Sequence, residues 1–318
     1  MSEPTQRERW GIDGAGLAVG ISLGGAGRPE DWQQLLFWVD RAEALGLHSV
    51  WVPEMHFAPG VSASPLLTLA AFAARSERLR LGTTSLLLPI HDPDRLAQEV
   101  RSLDALSCGR VLLGLGRGFR APLFEAFGID AATKRDRFDA ALDRILELWS
   151  GDPPVQRPHP PLAVAAFGKK GLLQAARRGL PYLASPVEPA VQIVENLRLH
   201  RENLPDGVDP DSLVVPVMRT VHVAEHAGEA ARVEGALEAE GRAMMRGRVP
   251  KALARAAAAD VRDRVVVGTV SEVIDRLGGY CEETAMDLLI CRPQVSGASH
   301  EERDASLTRL AEEVLPAL

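Results

Sequence analysis

The stretch Leu79-Arg-Leu-Gly-Thr-Thr-Ser-Leu-Leu-Leu88, the segment Pro93 to Leu106 and the run Arg110-Val-Leu-Leu-Gly-Leu115 follow one another without interruption. Two apolar runs flank one amphipathic segment. Apolar runs that do not alternate suit strands covered on both faces. Pro93 suits the first turn of a helix, where its missing N–H costs nothing. The order is therefore strand, helix, strand, with the two strands parallel.

The same unit recurs in both directions. Upstream, Leu17 to Leu23 and Ser49 to Pro53 read as strands, with helices at Asp31 to Leu45 and Leu66 to Arg75. Gly46 stops the first of these helices. Downstream, Asp136 to Trp149 is helical. Strands follow at Leu162 to Ala166, Leu180 to Ala184, within Leu213 to Val223, and at Leu288 to Cys291. Helices run from the fifth strand to Arg178, from Val187 to Asn203, from Ser271 to Thr284 and from Glu301 to Val314. Glu225 to Ala259 is Ala/Glu/Arg-rich and helical, with a break near Pro250. Eight strands separated by helices predict a single (β/α)8 TIM barrel at 17–318, with an extended helical insertion before the last strand. Residues 1–16 read as a flexible leader. A doubly wound sheet is the alternative, but Gly24-Gly-Ala-Gly27 does not carry its glycine fingerprint.

Composition excludes several function classes. Of 318 residues 46% are hydrophobic, enough for a full core, and the net charge is -7. Arginines are dispersed among acids, so no basic footprint for nucleic acid is visible. No apolar run reaches membrane-spanning length, and the N-terminus has no signal-peptide pattern. The cysteines Cys108, Cys281 and Cys291 are odd in number and fit no zinc spacing. Together these features predict a cytoplasmic protein with idle thiols.

In a barrel, chemistry belongs to the loops after the strands. After the second strand stand Glu54-Met-His-Phe57. Glu54 and His56 are the expected catalytic pair, able to hold and move protons. The third strand carries Thr83-Thr-Ser85, small hydroxyl residues that either line a flat ring or simply pack. After the fourth come Gly114-Leu-Gly-Arg-Gly118, where Arg117 can hold a phosphate or carbonyl oxygen. Arg135 precedes the next helix. After the fifth come Phe167-Gly-Lys-Lys-Gly171. A helix start with Lys169 and Lys170 makes a phosphate seat or a solvated turn. The glycine spacing is not that of a P-loop.

In order and spacing, these segments resemble the bacterial luciferase-like flavin-dependent monooxygenases from about Leu17 to the C-terminus. The densest likeness is Leu81 to Glu99 continuing through Leu103 to Gly118. Phe127-Gly with the helix ending at Trp149-Ser-Gly151, Ala175 to Pro181, and Val267-Gly-Thr269 agree with it. The resemblance implies a barrel that binds reduced flavin mononucleotide, FMN, supplied by a separate flavin reductase. It implies oxygenation of a small-molecule substrate. It also implies that Thr84 and Ser85 are a bulged, often cis dipeptide against the flavin ring. Arg117 then contacts the flavin and Arg135 its phosphate. Phe167, Gly168 and Gly171 form the phosphate turn, with Lys169 beside them. Members are commonly dimers, so a homodimer is expected.

Two departures stand out. Where luciferases carry their catalytic His this chain has Met55, and a thioether transfers no proton. His56 matches the neighbouring His. The phosphate turn lacks the usual Ser or Thr hydroxyls, for which Lys169 and Lys170 are expected to compensate. An oxidoreductase using the deazaflavin coenzyme F-420, a sister branch, stays open, as does a flavin-binding protein without catalysis. An unrelated barrel hydrolase ranks last, since no metal-ligand cluster is visible. The helical stretch before the last strand is the expected lid. Its Arg242, Arg246 and Arg248 either meet an acidic substrate or form a solvated face.

Overall fold

A computed structural model describes residues 4–14, 16–57, 61, 63–166, 168–244 and 259–318. Its centre is a parallel sheet of nine strands. These are β1 Ala18–Ser22, β2 Ser49–Val52, β3 Arg80–Leu87, β4 Val111–Gly116, β5 Leu162–Ala165, β6 Tyr182–Leu183, β7 Pro216–Val223, β8 Val265–Gly268 and β9 Leu288–Cys291. The helices are α1 Gln6–Trp10, α2 Pro29–Ala44, α3 Pro65–Arg75, α4 Pro93–Leu106, α5 Ala121–Ala126, α6 Lys134–Gly151, α7 Lys169–Ala176, α8 Ala190–Arg201, α9 Ala227–Met244, α10 Val270–Thr284 and α11 His300–Arg309.

Strands neighbour one another in the order β6-β5-β4-β3-β2-β1-β9-β7-β8. The sheet curls until β6 meets β7 through one parallel bridge, Ala184 to Val217. The strand count differs from the expected eight. Val265–Gly268 is a strand in its own right, although its short apolar run falls inside the long crossover before β9. It pairs only with the second half of β7, Thr220–Val223, while the first half pairs with β9. Of the predicted helical insertion, α9 is described. Residues 245–258, with Arg246, Arg248 and Pro250, lie outside the described residues.

Strand residues alternate between two apolar clusters. Val19, Ile21, Leu289 and Cys291 belong to the outer core under the helices. Trp51, Leu112, Ala163, Leu183, Leu288 and Ile290 fill the interior. Trp51 is the interior's largest plug, and it fits because the adjacent strand offers Gly82. A Cβ on Gly82 would meet the indole at 2.1 Å. The segment expected as a flexible leader contributes here. Thr5 caps α1 through a capping box, and Trp10 and Ile12 are buried in the interior cluster. Trp10 stacks on Trp51 at 6.4 Å between centroids. This apolar anchor closes the N-terminal end of the curled sheet and leaves the opposite end open.

Candidate active site

Three groups of residues converge at the C-terminal ends of the strands. The first is centred on Glu54, whose side chain is fully enclosed. It accepts the Leu87 N–H at 2.7 Å, His56 Nε2 at 2.8 Å, and His91 Nε2 at 2.9 and 3.0 Å. Burial pushes its carboxyl up. The bonds and charge of His91, the Leu87 amide and His56 together outweigh that and hold it below the usual range. Glu54 is thus an anion at neutral pH, able only to accept. Each histidine therefore donates through Nε2, and His56 Nδ1 takes no part in these bonds.

Met55, at the position of the family's catalytic His, is exposed. The alternation along this segment turns His56, not Met55, to Glu54. His56 also packs edge-on to Phe127, with centroids 5.2 Å apart, and Phe57 lies 5.7 Å from Phe127. These two phenylalanines are exposed around a nearly buried imidazole. His91 was not singled out from the sequence. Its signal was position, just past the third strand in Pro-Ile-His-Asp.

The second group is on β3. The Thr84–Ser85 peptide bond is cis, and the β3–β4 register shifts between Thr84 and Leu86. Ser85 is the extra residue of this bulge. Its hydroxyl lies over Gly116, where a Cβ would meet Oγ at 2.0 Å. Ser22 Oγ, from β1, is 3.3 Å from Thr84 Oγ1. Hydroxyls from two strands and a bare glycine face thus meet in one layer above the Trp51 plug.

The third group is cationic. Arg117, at the end of β4, lies flush against the first turn of α7. A Cβ on Gly171 would meet its Nη2 at 2.2 Å. Gly168 takes a positive φ of 74° to open that helix, with no side chain capping it. Burial first, then the charge of Arg135, lowers the Arg117 guanidinium, against a smaller upward pull from Asp139. Burial lowers Lys134, and Arg117 and Arg135 lower it further. Among the described residues none of these three cations forms a salt bridge, although most other arginines do. Arg117 reaches only Gln174 Oε1, at 3.3 Å. Lys169 and Lys170 are exposed on the same helix start, and Phe167 lies outside the described residues. Crowded cations at free helix N–H groups fit an anion such as a phosphate. Lys134 is the member that sequence inspection passed over, because only the turn before α6 brings it to Arg117.

The sequence profile of the luciferase-like monooxygenases matches residues 16–287. The chain belongs to that family. Its reaction class is that of a monooxygenase, an oxidoreductase that incorporates oxygen. This luciferase-like monooxygenase is 28% identical over 314 residues to the oxygenase component of the flavin-dependent trigonelline monooxygenase of Acinetobacter baylyi, covering 87% of each chain. Monooxygenase RslO1 from Streptomyces bottropensis superposes with a TM-score of 0.75 at 25% identity, over 94% of this chain and 99% of that one. The oxygenating constituent of 3,6-diketocamphane monooxygenase from Pseudomonas putida, solved with FMN, shares the fold. Its TM-score is 0.75 at 18% identity, over 95% of this chain and 98% of that one.

Proposed function

We propose that this chain is the oxygenase of a two-component flavin monooxygenase, taking reduced FMN from a separate reductase and oxygenating a small organic molecule. The observation that carries this reading is the unpaired cluster of Arg117, Lys134 and Arg135 at the start of α7. Like charges crowd there only at a cost, which a phosphate dianion offsets. The relative from Acinetobacter, named as an oxygenase component, supports the reductase partner. A homodimer, common in the family, goes with this reading. So does a cytoplasmic place, since its three thiols are unpaired.

On this reading Arg117, Arg135, Lys134 and the backbone of Gly168 to Gly171, with Lys169, hold the phosphate. Thr84 and Ser85 pack against the ring, with Ser22 behind them. Reduced flavin supplies the electrons that activate oxygen. His56 Nδ1 takes or returns a proton at the substrate. Glu54, which reaches no ligand, is a positioning residue for His56. Phe57 and Phe127 keep water from that imidazole.

The test is calorimetric titration with FMN and with the deazaflavin coenzyme F-420, followed by turnover with a reductase and labelled oxygen. FMN is expected to bind more tightly, with one labelled atom entering the product. Tighter binding of the deazaflavin, or products without label, would overturn the assignment.

A further inference from the structure

Arg292 is the first residue beyond β9, and the alternation along that strand turns it inward. Leu288 and Ile290 lie in the interior cluster, and Leu289 and Cys291 in the outer core. The β1–β9 register, with Ile21 opposite Cys291, sets Arg292 beside Ser22. Ser22 is the residue whose hydroxyl meets Thr84. Arg292 is therefore placed on the inward face in the layer of the Thr84–Ser85 bulge, with its side chain half-buried against Glu240. Its backbone is held, since its N–H donates to the Arg219 carbonyl at 3.2 Å. Two residues on, Gln294 Oε1 accepts the Gly24 N–H at 3.0 Å, tying the loops after β9 and β1 together.

The guanidinium is held at one edge only. Nη1 and Nη2 donate to Oε1 and Oε2 of Glu240, on α9, at 2.8 and 3.3 Å. Ser296 Oγ donates to the same carboxylate at 2.5 Å. Of its other donors, Nε–H is buried and has no partner among the described residues. A buried donor left unmet is unfavourable and calls for an acceptor. A guanidinium offers its Nε edge as a second fork for a planar oxygen group.

We infer that Arg292 anchors a carbonyl or carboxyl oxygen of the small-molecule substrate, with Glu240 fixing the guanidinium in the receiving orientation. This rests on the flavin reading above for where the cofactor lies. The cations stand at the end of β4 and the ring-facing bulge on β3. Arg292 is three strands further round the wall, past β2 and β1. That is roughly 14 Å along the sheet at about 4.8 Å per strand, on the side away from the phosphate seat. It is the position of a group that meets the substrate beyond the ring. His56, at the end of β2, stands between them, so an oxygen held by Arg292 brings the rest of the molecule toward the imidazole.

The experiment uses the full chain, with and without oxidised FMN, and calorimetry with benzoate, benzamide and toluene as probes. The wild type is expected to bind an oxygen-bearing probe at least about tenfold more tightly than toluene. Arg292→Gln should abolish that preference and leave the FMN Kd within about twofold. Arg292→Lys, which keeps the charge but not the Nε donor, should lose most of it. It guards against misfolding of the first variant, and thermal unfolding of each variant is recorded alongside. Glu240→Gln weakens the fork that fixes the guanidinium and should lower the preference severalfold, and an unchanged preference overturns the positioning role of Glu240. A wild type without the preference, or an Arg292→Gln protein that keeps it, overturns the proposal. An Arg292→Gln protein that binds FMN about tenfold more weakly with the preference intact overturns it too, by assigning the contact to the cofactor. Failure of the flavin reading shows separately, as a wild type that does not bind FMN. The probe preference is still read on the flavin-free protein.

Discussion

His56 Nε2 donates to Glu54 Oε1 across 2.8 Å, and this bond decides which ring nitrogen is left for chemistry. An ionised Glu54 can only accept, so His56 Nε2 carries a proton and Nδ1 is the nitrogen that this bond leaves free. His56→Ala should lower turnover by about 100-fold, the usual scale for loss of a proton-transferring group, with the FMN Kd unchanged. Glu54→Gln lets the ring take the other tautomer and should cost about tenfold in turnover. His91→Ala removes a donor to the buried carboxylate and should cost about 1–3 kcal/mol of stability in urea unfolding. Equal turnover losses for His91→Ala and His56→Ala would remove the special role given to His56 Nδ1.

Arg117 and Gly171 test the phosphate seat from two sides. Arg117→Met removes a charge-assisted donor of the kind worth about 1.5–3 kcal/mol, so the FMN Kd should rise by about 10- to 100-fold. Gly171→Ala places a methyl where Arg117 Nη2 now lies, and against Ala166. It should weaken FMN binding while leaving riboflavin, which lacks the phosphate, unaffected. If both ligands weaken equally, the cations do not hold the phosphate. Added salt should weaken FMN binding in the wild type more than in Arg117→Met.

His48 sets an acid limit to stability. It is half-buried at the N-terminal end of the sheet, with Nε2 3.0 Å from the Trp10 carbonyl and Nδ1 2.9 Å from Ser49 Oγ. Burial pushes it down to about 4. Its folded pKa is depressed, so the unfolded chain binds the proton first. The stability it contributes is present above about 6.5 and is lost as pH falls toward about 4, by about 3 kcal/mol from this group alone. His48→Gln, which preserves a donor to Trp10, should flatten urea-derived stability between those pH values. An unchanged slope would assign the acid sensitivity to another group.

Trp10→Ala removes the indole that stacks on Trp51 and should cost about 3–5 kcal/mol, measured by thermal or urea unfolding. A loss below about 0.5 kcal/mol would make the N-terminal segment an ornament after all.

The α/β class of the fold was legible because apolar runs of strand length cannot be solvated and must be covered. The helix boundaries at Pro93–Leu106 were legible for the same local reasons, a proline start and an amphipathic stripe. The strand at Val265–Gly268 was not, because four apolar residues inside a long crossover carry no sign of which neighbour they pair with. Nor was the anchoring of Trp10, since a lone tryptophan in a polar segment shows its value only against the glycine-flanked Trp51.

The sequence by itself determined the residue types of the candidate site: Glu54 and His56, Thr84 and Ser85, Arg117 and the turn to Gly171. Each belongs to a short segment whose order along the chain carries the family likeness. Only the tertiary structure decided how they are arranged. Strand alternation and parallel register, which act between segments distant in sequence, enclose Glu54 and give it His91 as well as His56. The turn before α6 brings Lys134 to Arg117, and the register of β9 turns Arg292 inward beside Ser22. Charge crowding, an unmet donor and an oriented imidazole are properties of pairs in space, and no single stretch of the chain contains them.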